Sequence, residues 1–354
     1  MTSAHNQTNN GSTVLSHVYG PIGHIELNRP AKLNALTLQM LTELTRVLKV
    51  WAEDPSIQLV LLTGCGERGF CAGGDIADFH QAITTGKHQD FINLLSLEFD
   101  LDYLISTYPK PLITLAHGIT MGGGVGLASH APMRLVTASA KLGMPEAKIG
   151  YTPDVGGSHL LANSPGHLGE YFAMSATSFA GADAVFMGFA DVVVTDSFAE
   201  NILDELDEFL GLSAAEIISA IEVLHGAPES HGVEQIQGWV DHAFSADTPQ
   251  EVISRLEQMV HPAADQAAQL LKANSPSSIC AAFHSVREAR VEQDLRSALD
   301  RELRLARFLM YRPDLAEGIR AQVIDKDRNP HWSPTLVGEV DQDELRSLVR
   351  DSQL

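Results

Sequence analysis

Phe70-Cys71-Ala72-Gly73-Gly74-Asp75-Ile76 follows a short apolar run, Leu59 to Leu62, and opens a helical stretch. Glycine lets a backbone lie close to a ligand, and a helix N-terminus presents unpaired N–H groups at the positive end of its dipole. His117-Gly118-Ile119-Thr120-Met121-Gly122-Gly123-Gly124-Val125-Gly126 repeats the arrangement: an apolar strand, consecutive glycines, then a helix. Neither segment carries the lysine of a phosphate loop, and no acidic residue sits where a dinucleotide fingerprint needs one, so a nucleotide cradle is unsupported. Two glycine-rich strand ends suggest a two-donor oxyanion hole. Taken singly, each is equally compatible with a tight strand-to-helix turn, with Asp75 a simple cap.

Outward from these segments the chain alternates. Thr13 to Leu27 holds two β-rich runs around Gly20-Pro21, which predicts a hairpin. After Thr37, a plausible N-cap, apolar residues fall at Met40, Leu41, Leu44, Val47, Leu48 and Trp51, the spacing of an amphipathic helix. Leu59 to Leu62 and Leu112 to Ala116 are continuous apolar runs of strand length, as for strands buried on both faces. Helical stretches are expected from Phe91 to Ile105 and from Gly123, and a strand from Arg134 to Thr137. Past Val194 the strand patterns stop, and Glu200 to Arg312 reads as successive helices broken at Pro228, Pro249, Pro262 and Pro276. The expected class is α/β: a tail over residues 1–12, an α/β core over 13–200 and a helical region over 201–354.

Composition removes several functions. The 354 residues carry 45 acidic and 24 basic side chains, a net charge of −21, which repels nucleic acid and anionic membranes. The longest uncharged stretch, Pro111 to Met133, contains five glycines, two prolines and two histidines, so it reads as strand, loop and helix inside a core, not a membrane span. Three cysteines without a C-x-x-C pair argue against a disulfide framework or structural zinc and fit a reducing compartment, here expected to be the cytoplasm. MTSAHNQTNNGST resembles neither a secretory signal nor a transit peptide, and Ser352-Gln353-Leu354 only faintly resembles a peroxisomal address.

A third segment, Met144-Pro145-Glu146-Ala147-Lys148-Ile149-Gly150-Tyr151-Thr152-Pro153-Asp154-Val155-Gly156-Gly157, sets two carboxylates eight positions apart. Pro145, Gly150 and Pro153 disfavour one continuous helix, so the chain turns and both acids can face one cavity. Among apolar neighbours such a pair can split into a proton acceptor and a proton donor. The competing reading is two caps at loop ends. The fifteen histidines form no metal-binding pattern; His117 and His130 read as partners of local backbone groups, and Cys71 as a small buried thiol.

Gly23 to Leu36, with the pattern G-x-I-x-L-N-R-P-x-K-x-N-A-L, together with FCAGGDI and the triple-glycine segment, resembles the crotonase superfamily. The resemblance implies a spiral of ββα turns with a helical C-terminal part. It also implies Gly74 and Gly123 as backbone donors to a thioester oxygen. Hydratases of the superfamily use two glutamates; here Gly126 occupies the first position and Glu146 the second. Asp154 stands where hydratases usually carry glycine, and Pro-Asp-Val-Gly-Gly is similar to the thioesterase branch, which hydrolyses 3-hydroxyisobutyryl-CoA in valine breakdown. Glu317-Gly318-Ile319-Arg320-Ala321, Ile324-Asp325-Lys326-Asp327, Pro330, Trp332 and Pro334 resemble the tail of that branch. By the same resemblance Glu98 contacts substrate, its alternative being a solvated helix face, and Arg29 and Lys32 hold the CoA. The implied partner is an acyl-CoA, with no metal or redox cofactor, no nucleic acid and no membrane. Trimer, hexamer and monomer all stay open. An enoyl-CoA isomerase working with one acid, and a CoA-ester binding protein without catalysis, are the rival readings.

Overall fold

The computed structural model describes residues 11–225 and 232–351; the expected tail up to residue 10, Pro228 and the last three residues lie outside them. Among the described residues there are nine strands. They are β1 (Val14–Tyr19), β2 (Ile22–Leu27), β3 (Leu59–Gly64), β4 (Leu112–Ala116), β5 (Ile119–Met121), β6 (Met133–Thr137), β7 (Lys141–Gly143), β8 (Ser178–Ala180) and β9 (Val192–Val194). The chain divides into two compact units, each assembled from three stretches.

The first unit comprises Met1–Gly74, Asp100–Leu142 and Phe179–His231. Its main sheet has the order β1-β2-β3-β4-β6-β9. The expected hairpin is the antiparallel pair β1 and β2, with Val14 opposite Leu27, and every later pairing is parallel. Parallel strands must be covered on both faces, which is why β3 and β4 read as unbroken apolar runs. The expected helix is Leu38–Glu53, started by the Thr37 hydroxyl accepting from the Met40 N–H at 3.3 Å. All six apolar positions predicted from its spacing are buried, each stabilising by ~1.5–3 kcal/mol at most. Gly23 makes room for the last of them: a Cβ there would stand 2.6 Å from the Trp51 ring. On one sheet face Ile22, Leu61, Ile113 and Leu135 pack with Phe198, Leu206, Ile217 and Ile221 of the helices that follow β9. The small sheet β5-β7-β8 has strands of three residues, too short to show a period in the sequence. Pro111 to Met133 folds as strand, glycine turn and helix, and among the described residues no helix is long and apolar enough to cross a membrane.

The second unit comprises Asp75–Phe99, Gly143–Ser178 and Gly232–Leu354. At its centre, helix Pro276–Glu292 buries Ile279, Cys280, Phe283 and Val286. Pro249, Pro262 and Pro276 are each the first residue of a helix, where the missing N–H costs nothing and the fixed φ suits the turn. The tail motif closes against this unit. The Trp332 indole N–H donates to the Ala273 carbonyl at 2.9 Å, and buried Asp314 accepts from the Ser275 hydroxyl at 2.6 Å and the Ser333 N–H at 2.7 Å. A Cβ on Gly318 would stand 2.3 Å from the Ile149 backbone, and one on Gly150 2.2 Å from the Asp314 carbonyl. The tail therefore braces the turn that begins at Glu146.

Candidate active site

The two glycine segments meet in the first unit. Cys71 donates its N–H to the Ile119 carbonyl at 3.2 Å and accepts from the Met121 N–H at 3.0 Å. Gly73, at φ +90°, adopts a conformation that suits glycine, and a Cβ there would stand 2.8 Å from the Met121 carbonyl and 3.1 Å from the Gly123 nitrogen. Gly123 is the first residue of helix Gly123–Ser129, so its N–H is among the first-turn donors without an intrahelical acceptor. Gly73, the neighbour of Gly74, thus lies against the backbone of Gly123, and the two glycine turns adjoin. Asp75 stands at the N-cap of helix Ile76–Thr84 without a side-chain capping bond.

Asn34 braces this arrangement, a role the sequence did not single out. Fully buried at φ +54°, it donates to the carbonyls of Cys65 and Phe70 at 3.0 and 2.9 Å and accepts from the Arg29 N–H at 2.8 Å. The Cys71 thiol, also buried, donates to the Asn34 carbonyl at 3.2 Å. His117 meets the Gly66 carbonyl at 2.7 Å, a backbone partner 51 residues away in sequence. The Arg29 guanidinium donates to the Ala35 carbonyl of its own loop, while Lys32 is exposed.

The second unit gathers four carboxylates: Glu98, Glu146, Asp154 and Glu302, all buried. Glu98 belongs to helix His88–Ser106 and is 2% exposed, so the solvated alternative does not hold. Glu146 opens the 3₁₀ turn Glu146–Ile149, whose N-cap, Pro145, has no side-chain capping bond. Burial pushes Glu98 up to about 7. It pushes Glu146 up to about 8, with the charges of Glu302 and Glu98 adding to the rise. Asp154 is held well above the ordinary carboxylate range by burial, then by Glu146, Glu98 and Glu302, the Tyr151 hydroxyl acting the other way. Asp154 thus lies within electrostatic reach of Glu146, in the same unit. One oxygen each of Glu98 and Glu146 has no hydrogen-bond partner among the described residues. Buried acceptors of this kind are available to a substrate hydroxyl or to water.

Glu302 and Tyr151 are the members the sequence reading missed. Glu302, on helix Leu295–Leu309, is pushed up to about 7 by burial, against the Ser158 hydroxyl and the Arg301 charge. A sequence signal existed: Ala298, Leu299, Glu302, Leu305, Ala306 and Leu309 form one buried stripe, with a carboxylate in its middle.

Known proteins resemble the whole chain. 3-Hydroxyisobutyryl-CoA hydrolase, mitochondrial, of Danio rerio is 36% identical, covering 94% of this chain and 88% of that protein. The Homo sapiens protein of the same name is 33% identical over 96% and 89%. Among solved structures, a carnitinyl-CoA dehydratase from Mycobacterium thermoresistibile and an enoyl-CoA hydratase from Rhodobacter sphaeroides 2.4.1 each superpose with a TM-score of 0.89 at 35% identity. The first covers 97% of both chains, the second 96% of this chain and 98% of its own. The sequence model of enoyl-CoA hydratase/isomerase matches residues 22–349, and by that match and those relatives this chain is an α/β, crotonase-like member of the enoyl-CoA hydratase/isomerase family.

Proposed function

We propose that the protein hydrolyses the thioester of 3-hydroxyisobutyryl-CoA, releasing 3-hydroxyisobutyrate and CoA in valine breakdown. The names of its relatives support the substrate. The observation that carries the reaction type is the buried pair Glu146 and Asp154 with Gly126 on the helix after the glycines. Addition of water across an enoyl double bond wants a carboxylate where Gly126 stands; hydrolysis needs one base and one group for the substrate hydroxyl.

In this reading the Gly74 and Gly123 N–H groups hold the thioester oxygen as charge develops on it. Each such donor is worth ~3 kcal/mol in the transition state. Glu146 takes a proton from water, whose oxygen forms the new bond to the carbonyl carbon while the C–S bond breaks and the thiolate leaves with CoA. The proton then passes to the departing sulfur. Asp154 binds the 3-hydroxyl or assists that transfer. A second route has Glu146 attack the carbonyl itself, giving an anhydride that water opens. Single turnover in labelled water separates the two, since only the anhydride route leaves label in Glu146. A base raised to about 8 matches slightly alkaline operation. Lys32, with Arg29, meets the CoA phosphates, and the three cysteines, none in a disulfide, suit a reducing compartment such as the cytoplasm.

Hydration is the second reading, favoured by the names of the two proteins whose structures superpose on this chain. Paired turnover on (S)-3-hydroxyisobutyryl-CoA and crotonyl-CoA decides between them. Thiol release lost in Glu146→Gln and Asp154→Asn establishes hydrolysis; loss of enoyl absorbance without thiol release establishes hydration.

A further inference from the structure

The turn that carries Asp154 has an unusual backbone. Val155 sits at φ +52° and Gly156 at φ +73°. A β-branched residue in the left-handed region is an outlier that persists only where its surroundings over-determine it. Backbone N–H groups exposed by a tight turn can form a concavity for an anion. Here the anion is the Glu302 carboxylate. Its Oε2 accepts from the Gly156 N–H at 2.7 Å, and its Oε1 accepts from the Ser158 N–H at 2.9 Å and from the Ser158 hydroxyl. Within the turn the Gly157 N–H closes onto the Asp154 carbonyl at 2.6 Å.

Glu302 is itself fixed. It is fully buried beside Arg301, whose guanidinium, also fully buried, donates to the Ser158 hydroxyl at 3.1 Å and to Ser285 at 3.2 Å and pairs with Glu292. Arg301 thus donates to the same hydroxyl that donates to Glu302.

We propose that Glu302 is a positioning residue for the hydrolysis: its carboxylate clamps the Gly156 and Ser158 N–H groups and so sets where the Asp154 side chain stands. The inference rests on Asp154 being a reacting group. Glu302 touches no reacting atom in this scheme and acts through the turn. Its charge also reaches Glu146, Asp154 and Tyr151, which face it together with Glu98. Those effects supply a readout that bare structural support would not move.

The test uses the full chain and thiol release from (S)-3-hydroxyisobutyryl-CoA, in Glu302→Gln, Glu302→Asp, Asp154→Asn and Asp154→Asn/Glu302→Gln, each checked for folding by its melting transition. Glu302→Gln turns an amide N–H₂ toward backbone donors. We expect kcat to fall about 100-fold, the penalty of a misplaced reacting group, with KM little changed. The rising limb of the pH–rate profile moves to lower pH, because a negative charge that raised Glu146 has gone. Glu302→Asp keeps the charge and withdraws it by one methylene, so kcat falls about tenfold with the limb unmoved; it carries the test if Glu302→Gln does not fold. In the Asp154→Asn background, read on the slow residual thiol release at high enzyme concentration, the added Glu302→Gln costs little, since the group it positions is already absent. Wild-type kcat in folded Glu302→Gln or Glu302→Asp overturns the proposal, as does an equal loss with and without Asp154. Wild-type turnover in Asp154→Asn alone instead removes the reading of Asp154 on which the proposal stands.

Discussion

Replacing Glu98 by glutamine removes a charge that the fold holds at a cost. Glu98 is 2% exposed, and burial moves its carboxyl from 4.5 to about 7. At about 1.4 kcal/mol per pH unit, that displacement means ionised Glu98 opposes folding by about 3 kcal/mol above pH ~7. The sign follows from proton counts. Between about 4.5 and 7 the folded chain binds the proton and the unfolded chain does not, so stability is present at low pH and lost as pH rises through the folded value. Glutamine has the same shape and no charge, but its buried amide gives back about 1 kcal/mol if left unpaired. Glu98→Gln should therefore be about 2 kcal/mol more stable than wild type at pH ~8.5, a midpoint several degrees higher, and no more stable at pH ~4.5. Glu98 also raises Glu146 and Asp154, so the gain at high pH includes relief of both. Thermal and urea unfolding across that range reads the difference. Parallel stability curves for the two proteins would refute the reasoning, because they would mean that Glu98 carries no buried charge.

The glycine turns and the charge pattern give three further expectations. Gly124→Ala puts a Cβ 2.2 Å from the Cys71 carbonyl, so the contact between the two turns must open, and thiol release should fall by about 100-fold while the chain stays folded by circular dichroism. Lys32→Glu should weaken the CoA ester by about tenfold and make its binding less salt-dependent, as measured by calorimetry at two ionic strengths; unchanged affinity removes Lys32 from the CoA site. An acyl group ending in a carboxylate should be refused. At an effective dielectric of about 20, a charge ~5 Å from one ionised acid costs about 3 kcal/mol. kcat/KM for malonyl-CoA should then lie about 100-fold or more below that for the neutral hydroxyacyl ester, and comparable values would remove these acids from the acyl site.

What the sequence disclosed followed physical range. Thr37 and the six apolar residues after it define a helix because cap and stripe lie within sixteen residues, and β3 and β4 are legible because burial on both faces leaves a continuous apolar run. β5, β7 and β8 are not, since three residues cannot show a period. Glu146 and Asp154 could be paired because the prolines and Gly150 between them force a turn. Glu302 joins Asp154's turn across some 146 residues of chain, and no local pattern encodes that partnership. What local pattern could show was a carboxylate on an apolar stripe, at Glu98 among Phe91, Ile92, Leu95 and Phe99 as at Glu302. Asn34 was hidden for another reason: its neighbours mark a loop, and only the folded structure shows which carbonyls its amide meets.

Four buried acids with raised proton affinities cannot all be charged at neutral pH. Each ionisation makes the next harder, so protons are shared among Glu98, Glu146, Asp154 and Glu302 as one coupled set. Glu302 is the member with three donors aimed at it and Arg301 beside it, so it is the best placed to hold a charge. Asp154 feels all three of the others and is the best placed to keep a proton. That ordering leaves Glu146 between them, with one oxygen unpartnered among the described residues and a proton affinity near 8, where it can lose and regain a proton as the proposed hydrolysis requires. A core built for stability alone would replace these acids with apolar residues of like volume. Their retention in a buried cluster, with the turn beneath Asp154 clamped in an unfavourable backbone conformation, is the expected signature of a site in which stability is exchanged for a divided proton inventory.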